Sequence, residues 1–112
     1  MKIIRLLDGL PDHFDIEVGN KAFHLVHGYP ADNRYDRIWG RPKKTDELPM
    51  SGTTVIVGHT PTVYLTGDEG KPFCIWHGNG MIDIDCGCGY GNKTENRRLA
   101  CLRLDDMREF YI

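Results

Sequence analysis

Apolar and polar residues alternate through Phe14, Ile16 and Val18, and again through Phe23 and Leu25, on either side of Gly19-Asn20. A period of two is that of a strand with one covered face, and Gly-Asn between two such runs predicts a two-residue hairpin joining Phe14–Val18 to Lys21–His27. The second run becomes continuously apolar over Phe23-His24-Leu25-Val26 and stops at His27-Gly28-Tyr29-Pro30, where Gly and Pro turn the chain out of a sheet. From Ala31 to Thr53 no period is sustained. Ala31 to Trp39 has room for one or two helical turns with Asp32 as cap, and Thr45-Asp46-Glu47-Leu48 for another short helix limited by Pro49 and Gly52. Arg41-Pro42-Lys43-Lys44 reads as exposed loop.

Thr53-Thr54-Val55-Ile56-Val57 is β-branched throughout. Its apolar end lacks alternation, which predicts a strand covered on both faces in the middle of a layered sheet. Phe73 to His77 reads as a short strand, and Met81 to Cys86 as an alternating one with Asp83 and Asp85 on one face. A glycine-rich turn from Gly87 to Asn92, an alternating strand from Leu99 to Leu104 and a last short strand from Glu109 to Ile112 complete the pattern. About six strands with two or three short helices make a β-rich α/β fold. No repeat or linker divides residues 1–112.

A chain of 112 residues holds one modest core. With 40% hydrophobic and 27% charged residues it is expected to fold rather than stay disordered. The near balance of 14 basic and 16 acidic residues gives no electrostatic reason to expect nucleic acid. No apolar run approaches the ~18 residues a membrane span needs. The start, Met1-Lys2-Ile3-Ile4-Arg5-Leu6-Leu7-Asp8, interrupts its apolar stretch with charge and lacks a cleavage-site pattern, so the expected location is the cytoplasm. Cys74, Cys86, Cys88 and Cys101 form no C-x-x-C pair. They read as reduced thiols, mostly buried in or beside strands.

Two places share one layout. Leu25-Val26-His27-Gly28 and Ile56-Val57-Gly58-His59 each end an apolar strand in a histidine beside glycine. Strand ends aim a side chain rigidly, glycine admits a ligand or another backbone, and neutral imidazole is a common ligand for first-row metals. Taken alone, either histidine reads more readily as a hydrogen-bonded structural residue; the shared layout brings the two readings level. His24 and His77 read as non-ligands and His13 as a surface residue. Asp83 and Asp85, one pleat apart, suit either an acid/base pair or structural hydrogen bonding.

His27-Gly28, Trp39-Gly40-Arg41-Pro42, Val57-Gly58-His59-Thr60-Pro61 and Ile82-Asp83-Ile84-Asp85-Cys86-Gly87 occur in this order, followed by Leu99-Ala100-Cys101-Leu102-Arg103-Leu104. As a set, from about Phe14 to Asp106, they resemble the second half of a calcineurin-like metallophosphoesterase, most closely the bacterial Ser/Thr protein phosphatases of the phosphoprotein phosphatase family. The resemblance implies the second half of a four-layer α/β/β/α sandwich. It also implies hydrolysis of phosphate monoesters by water activated between two divalent ions, manganese, iron or zinc. His27 and His59 would then be ligands of the second metal, although the family's His-Ala-Gly reads His27-Gly28-Tyr29 here. Arg41 would hold phosphate oxygens, with Arg37 as its rival and a solvated surface position as the plain alternative for both.

The family's other ligands come from Asp-x-His, Gly-Asp-x-x-Asp-Arg and Gly-Asn-His-Glu, none of which occurs here. Asp36-Arg37 lacks the preceding Gly-Asp, and Gly78-Asn79-Gly80 lacks His-Glu. The expectation is therefore a partial domain, weak in metal binding and inactive alone, whose full-length form acts on a phosphorylated protein or small phosphate ester. A non-catalytic binding or regulatory module and a dinucleoside polyphosphate hydrolase of the same superfamily are the alternatives. A sheet lacking its covering half, with strands such as Thr53–Val57 exposed, is expected to form a homo-oligomer.

Overall fold

The computed structural model describes residues 2–47, 50–91 and 93–112. Strand period and turn chemistry agree at the first hairpin. β1 (His13–Val18) and β2 (Lys21–Val26) pair antiparallel, with Ile16 opposite Phe23 and Val18 opposite Lys21. Gly19 takes φ 62° at the first central position, where the mirror-image turns that suit strand twist require glycine.

β3 (Thr53–Val57) runs parallel to β2, Leu25 beside Ile56, and parallel to β5 (Met81–Asp83), Ile56 beside Ile82. Parallel neighbours need long crossovers. Two short helices lie in these connections, α2 (Arg34–Trp39) between β2 and β3, and α3 (Val63–Thr66) after β3. β4 (Trp76–His77) closes the far edge antiparallel to β5, giving the order β1-β2-β3-β5-β4. β6 (Ala100–Arg103) and β7 (Arg108–Tyr111) form a separate antiparallel hairpin. The fold is thus α/β, with a mixed five-stranded sheet, a two-stranded sheet and a few short helices.

The core has two layers divided by the sheet. Phe23, Ile56 and Ile82 pack on one face with Val63, Phe73, Ile75 and Cys86, and Leu102, Leu104 and Tyr111 close that side. Val26, Val55, Val57 and Met81 pack on the other, against Tyr29, Met50 and Trp76. The apolar end of β3 is therefore covered on both faces, with Val55, Ile56 and Val57 exposed by 0%, 6% and 1%. Covering comes from within the chain, which corrects the expectation that this strand faces water.

What faces water is helix α1 (Lys2–Asp8), which the sequence pattern did not predict. None of its residues is buried, and Ile3, Ile4, Leu6 and Leu7 are 52–69% exposed. Of these, Leu7 lines a groove of about 720 Å³ together with Leu10, Phe14, Leu25, Ile56 and Ile84. No helix among the described residues is long and apolar enough to cross a membrane.

Other departures have local causes. The cap of α2 is Asn33, whose side chain accepts the Asp36 N–H at 2.8 Å, and not Asp32 one residue earlier. Around Thr45 a turn replaces the expected helix, because the Asp46 carboxylate accepts the Lys43 N–H. Leu48 of that expectation lies outside the described residues. The strand expected over Phe73–His77 shortens to two residues, since the Phe73 and Ile75 amides bond to Asn96 O and the Tyr111 hydroxyl. That over Met81–Cys86 shortens to three, all buried: past Asp83 the Asp85 N–H donates back to the Asp83 carboxylate, and the Asp85 carbonyl accepts from Thr62 rather than from a neighbouring strand. Cys86 is buried, but Cys74, Cys88 and Cys101 are exposed, against the expectation for the cysteines.

Candidate functional site

Parallel neighbours emerge from a sheet at the same edge: β2 ends immediately before His27, and β3 ends at Val57, one residue short of His59. The Gly58 N–H donates to His27 O at 2.9 Å, fastening the two strand exits together. The imidazole centroids lie 5.0 Å apart, tilted by 48°. His59 takes φ 60°, in the left-handed region unusual for a residue with a side chain. The Thr60 N–H to Gly58 O bond closes a three-residue turn around it. Such strained backbone costs of order 1 kcal/mol and persists where surrounding structure imposes it. The Trp39 ring stands edge-on to His59 at 5.6 Å.

Gly28 explains how α2 reaches this edge. Its N–H donates to Arg37 O at 2.7 Å, and a Cβ there would lie 2.8 Å from both Ile38 O and Gly40 O. Backbone, rather than a ligand, makes the close approach that glycine permits. Arg41 is thereby carried to the cleft, where its guanidinium donates to Thr60 Oγ1 at 3.3 Å and lies 5.4 Å from the Tyr64 ring centre.

His27, Arg41, His59, Asp85, Tyr64 and Tyr90 line one cleft of about 360 Å³. Burial lowers the His59 pKa first, and the neighbouring charges of Arg41 and His27 lower it further, while Asp85 acts the other way. Asp85 is held by its own turn: its carboxylate accepts the Gly87 N–H and its carbonyl the Thr62 N–H. Of the sequence candidates, His27, His59, Arg41 and Asp85 therefore converge.

Arg37 and Asp83 lie apart from them. Both Arg37 nitrogens that face Asp12 lie 3.0 Å from its carboxylate oxygens, and a third donates to Ala31 O. Arg37 and then His13 hold the Asp12 carboxyl down at about 2. Asp83 is fully buried on β5, and burial pushes its pKa up to about 8. One of its oxygens accepts the Asp85 N–H, and the other has no hydrogen-bond partner among the described residues. His77 sits on β4 against Glu109, and His24 bonds Asp15, both outside the cleft. Tyr64 and Tyr90 were not singled out in the sequence. Tyr64 lies on the four-residue helix α3 and Tyr90 on a turn, and neither element is long enough to carry a spacing signal that would have found them.

Two imidazoles bound tetrahedrally to one ion at a metal–nitrogen distance of roughly 2.0–2.1 Å have ring centres about 5 Å apart, the separation found between His27 and His59. No group of three or more His, Cys, Asp or Glu side chains is poised to hold a metal among the described residues. No family model matches the chain, and comparison with curated proteins and with solved structures likewise returns no match.

Proposed function

We propose that the chain is the second half of a metallophosphoesterase domain of the α/β/β/α type, contributing part of a phosphate-monoester hydrolase site. The observation that carries this reading is the delivery of His27 and His59 to one sheet edge, 5.0 Å apart, with Arg41 in the same cleft. His27 and His59 would hold one of two divalent ions (manganese, iron or zinc), whose chemistry when bound is to activate water and neutralise charge on the phosphate. Arg41, anchored on Thr60, would orient the phosphoryl oxygens through its paired N–H groups. Tyr64 and Tyr90 line the same cleft.

A catalytic site usually takes three protein ligands per ion, and two imidazoles fall short. The remaining ligands would come from a further polypeptide segment, and the isolated chain is proposed to be inactive. The substrate class is a phosphorylated protein or a small phosphate ester, in a cytoplasmic setting. The apolar surface of α1, Leu10 and Phe14 is proposed to be covered by a second copy of the chain.

Turnover of p-nitrophenyl phosphate with excess manganese is expected to be negligible, while calorimetry detects weak manganese binding that His27→Ala/His59→Ala abolishes. Clear metal-dependent turnover by the chain alone would overturn the partial-site reading. Equal manganese affinity in the double variant would overturn the metal assignment and favour a module without metal chemistry.

A further inference from the structure

We propose that His13 and His24 form a second chelate, independent of the cleft, for a divalent ion of the class that favours imidazole, with zinc as the working example. His24 stands directly opposite Asp15 across the β1–β2 pair, and His13 lies two residues before Asp15 on the same sheet face. Their ring centroids are 5.4 Å apart, close to the 5.0 Å of His27 and His59 and to the spacing of about 5 Å expected for two imidazoles on one ion.

Each ring is already oriented by a carboxylate. His13 Nδ1 lies 2.7 Å from Asp12 Oδ1, and His24 Nδ1 lies 2.6 Å from Asp15 Oδ1. Metal-binding histidines characteristically donate one ring N–H to a carboxylate, which fixes the tautomer and raises the basicity of the other nitrogen. With Nδ1 carrying the proton, Nε2 keeps its lone pair, and no described residue bonds either Nε2. Asp12 is fixed in turn by the two-point ion pair with Arg37. That contact gives Arg37 a role remote from phosphate. The His13 side chain is 45% exposed and leaves an entry path, whereas that of His24 is 11% exposed and preorganised by the sheet. Imidazole suits zinc, nickel and copper, and water would complete the coordination shell.

The pair lies outside the cleft, so its test does not depend on the phosphoesterase reading. Zinc chloride is titrated into the His27→Ala/His59→Ala protein while long-range 1H–15N spectra resolve each imidazole. The expected result is a joint shift of the Nε2 signals of His13 and His24 that follows a single binding curve. Asp12→Asn is expected to weaken that binding 10- to 100-fold, as loss of an orienting carboxylate does at other sites. His13→Gln, at an exposed position, is expected to abolish it with the fold intact by amide spectra. Static Nε2 signals up to millimolar zinc, or binding indifferent to His13→Gln, would overturn the proposal.

Discussion

Replacing Gly28 by alanine places a methyl carbon 2.8 Å from the carbonyl oxygens of both Ile38 and Gly40. Ordinary contact begins near 3.5 Å, so α2 must retreat by about 0.7 Å, and neither oxygen can swing aside because both are backbone. Overpacking of this kind costs typically 1–3 kcal/mol. The same retreat lengthens the Gly28 N–H to Arg37 O bond, now 2.7 Å, whose net worth is roughly 1 kcal/mol. Alanine returns about 0.4–1 kcal/mol by restricting the unfolded chain. The expected net loss is about 2 kcal/mol, or a fall in Tm of roughly 10 °C for a domain of this size. Gly89, on the rim of the same cleft, is the control: a Cβ there meets nothing within 4 Å. Gly89→Ala should stay within about 0.5 kcal/mol of the parent. Urea unfolding followed by circular dichroism reads both. A Gly28→Ala midpoint equal to that of Gly89→Ala would refute the claim that backbone contact at Gly28 sets the position of Arg41.

Further expectations concern pH and assembly. The lowered pKa of His59 means that the unfolded chain binds its proton more readily, so its contribution is full above about 6.5 and lost as pH falls below it. His59→Gln should remove that part of the pH slope in urea midpoints, and an unchanged slope would count against the buried, cation-flanked environment. Asp83 has the opposite sign: the native state keeps a proton that the unfolded chain releases near 3.8, so stability declines as pH rises towards about 8. Asp83→Asn should flatten this decline and raise the midpoint at pH 8, whereas a lowered midpoint there would contradict it. Light scattering at micromolar concentration should report a dimer or larger, reduced to monomer by Leu7→Asp on exposed α1. A parent monomer would refute self-association.

The hairpin and β3 were legible in the sequence because their signals are local. Gly19-Asn20 specifies its own turn, and an unbroken β-branched run specifies a strand covered on both faces. The helix α1 was not legible, since seven residues interrupted by Lys2 and Arg5 carry no sustained period. β5 misled in a different way. Asp83 alternates with Ile82 and Ile84, yet coverage of both faces buries it, and no residue pattern encodes which layers lie above a sheet. At the site, the paired strand-end layout pointed to His27 and His59, and parallel pairing of β2 and β3 supplies the reason they meet. Choosing between Arg41 and Arg37 required tertiary structure, because the ion pair of Arg37 with Asp12 spans 25 residues of chain. Asp85 enters the cleft for a similar reason, through the turn that bonds its carboxylate to Gly87 and its carbonyl to Thr62.

The central claim is that His27 and His59 act as one metal-binding unit beside Arg41. Manganese(II) added substoichiometrically broadens the signals of nuclei near the ion, so imidazole and guanidinium spectra recorded during such a titration test it most directly. Broadening greatest at His27 and His59, weaker at Arg41 and absent in His27→Ala/His59→Ala is the expected result. Unbroadened signals at both histidines, or a broadening pattern unchanged by the double substitution, would contradict the claim.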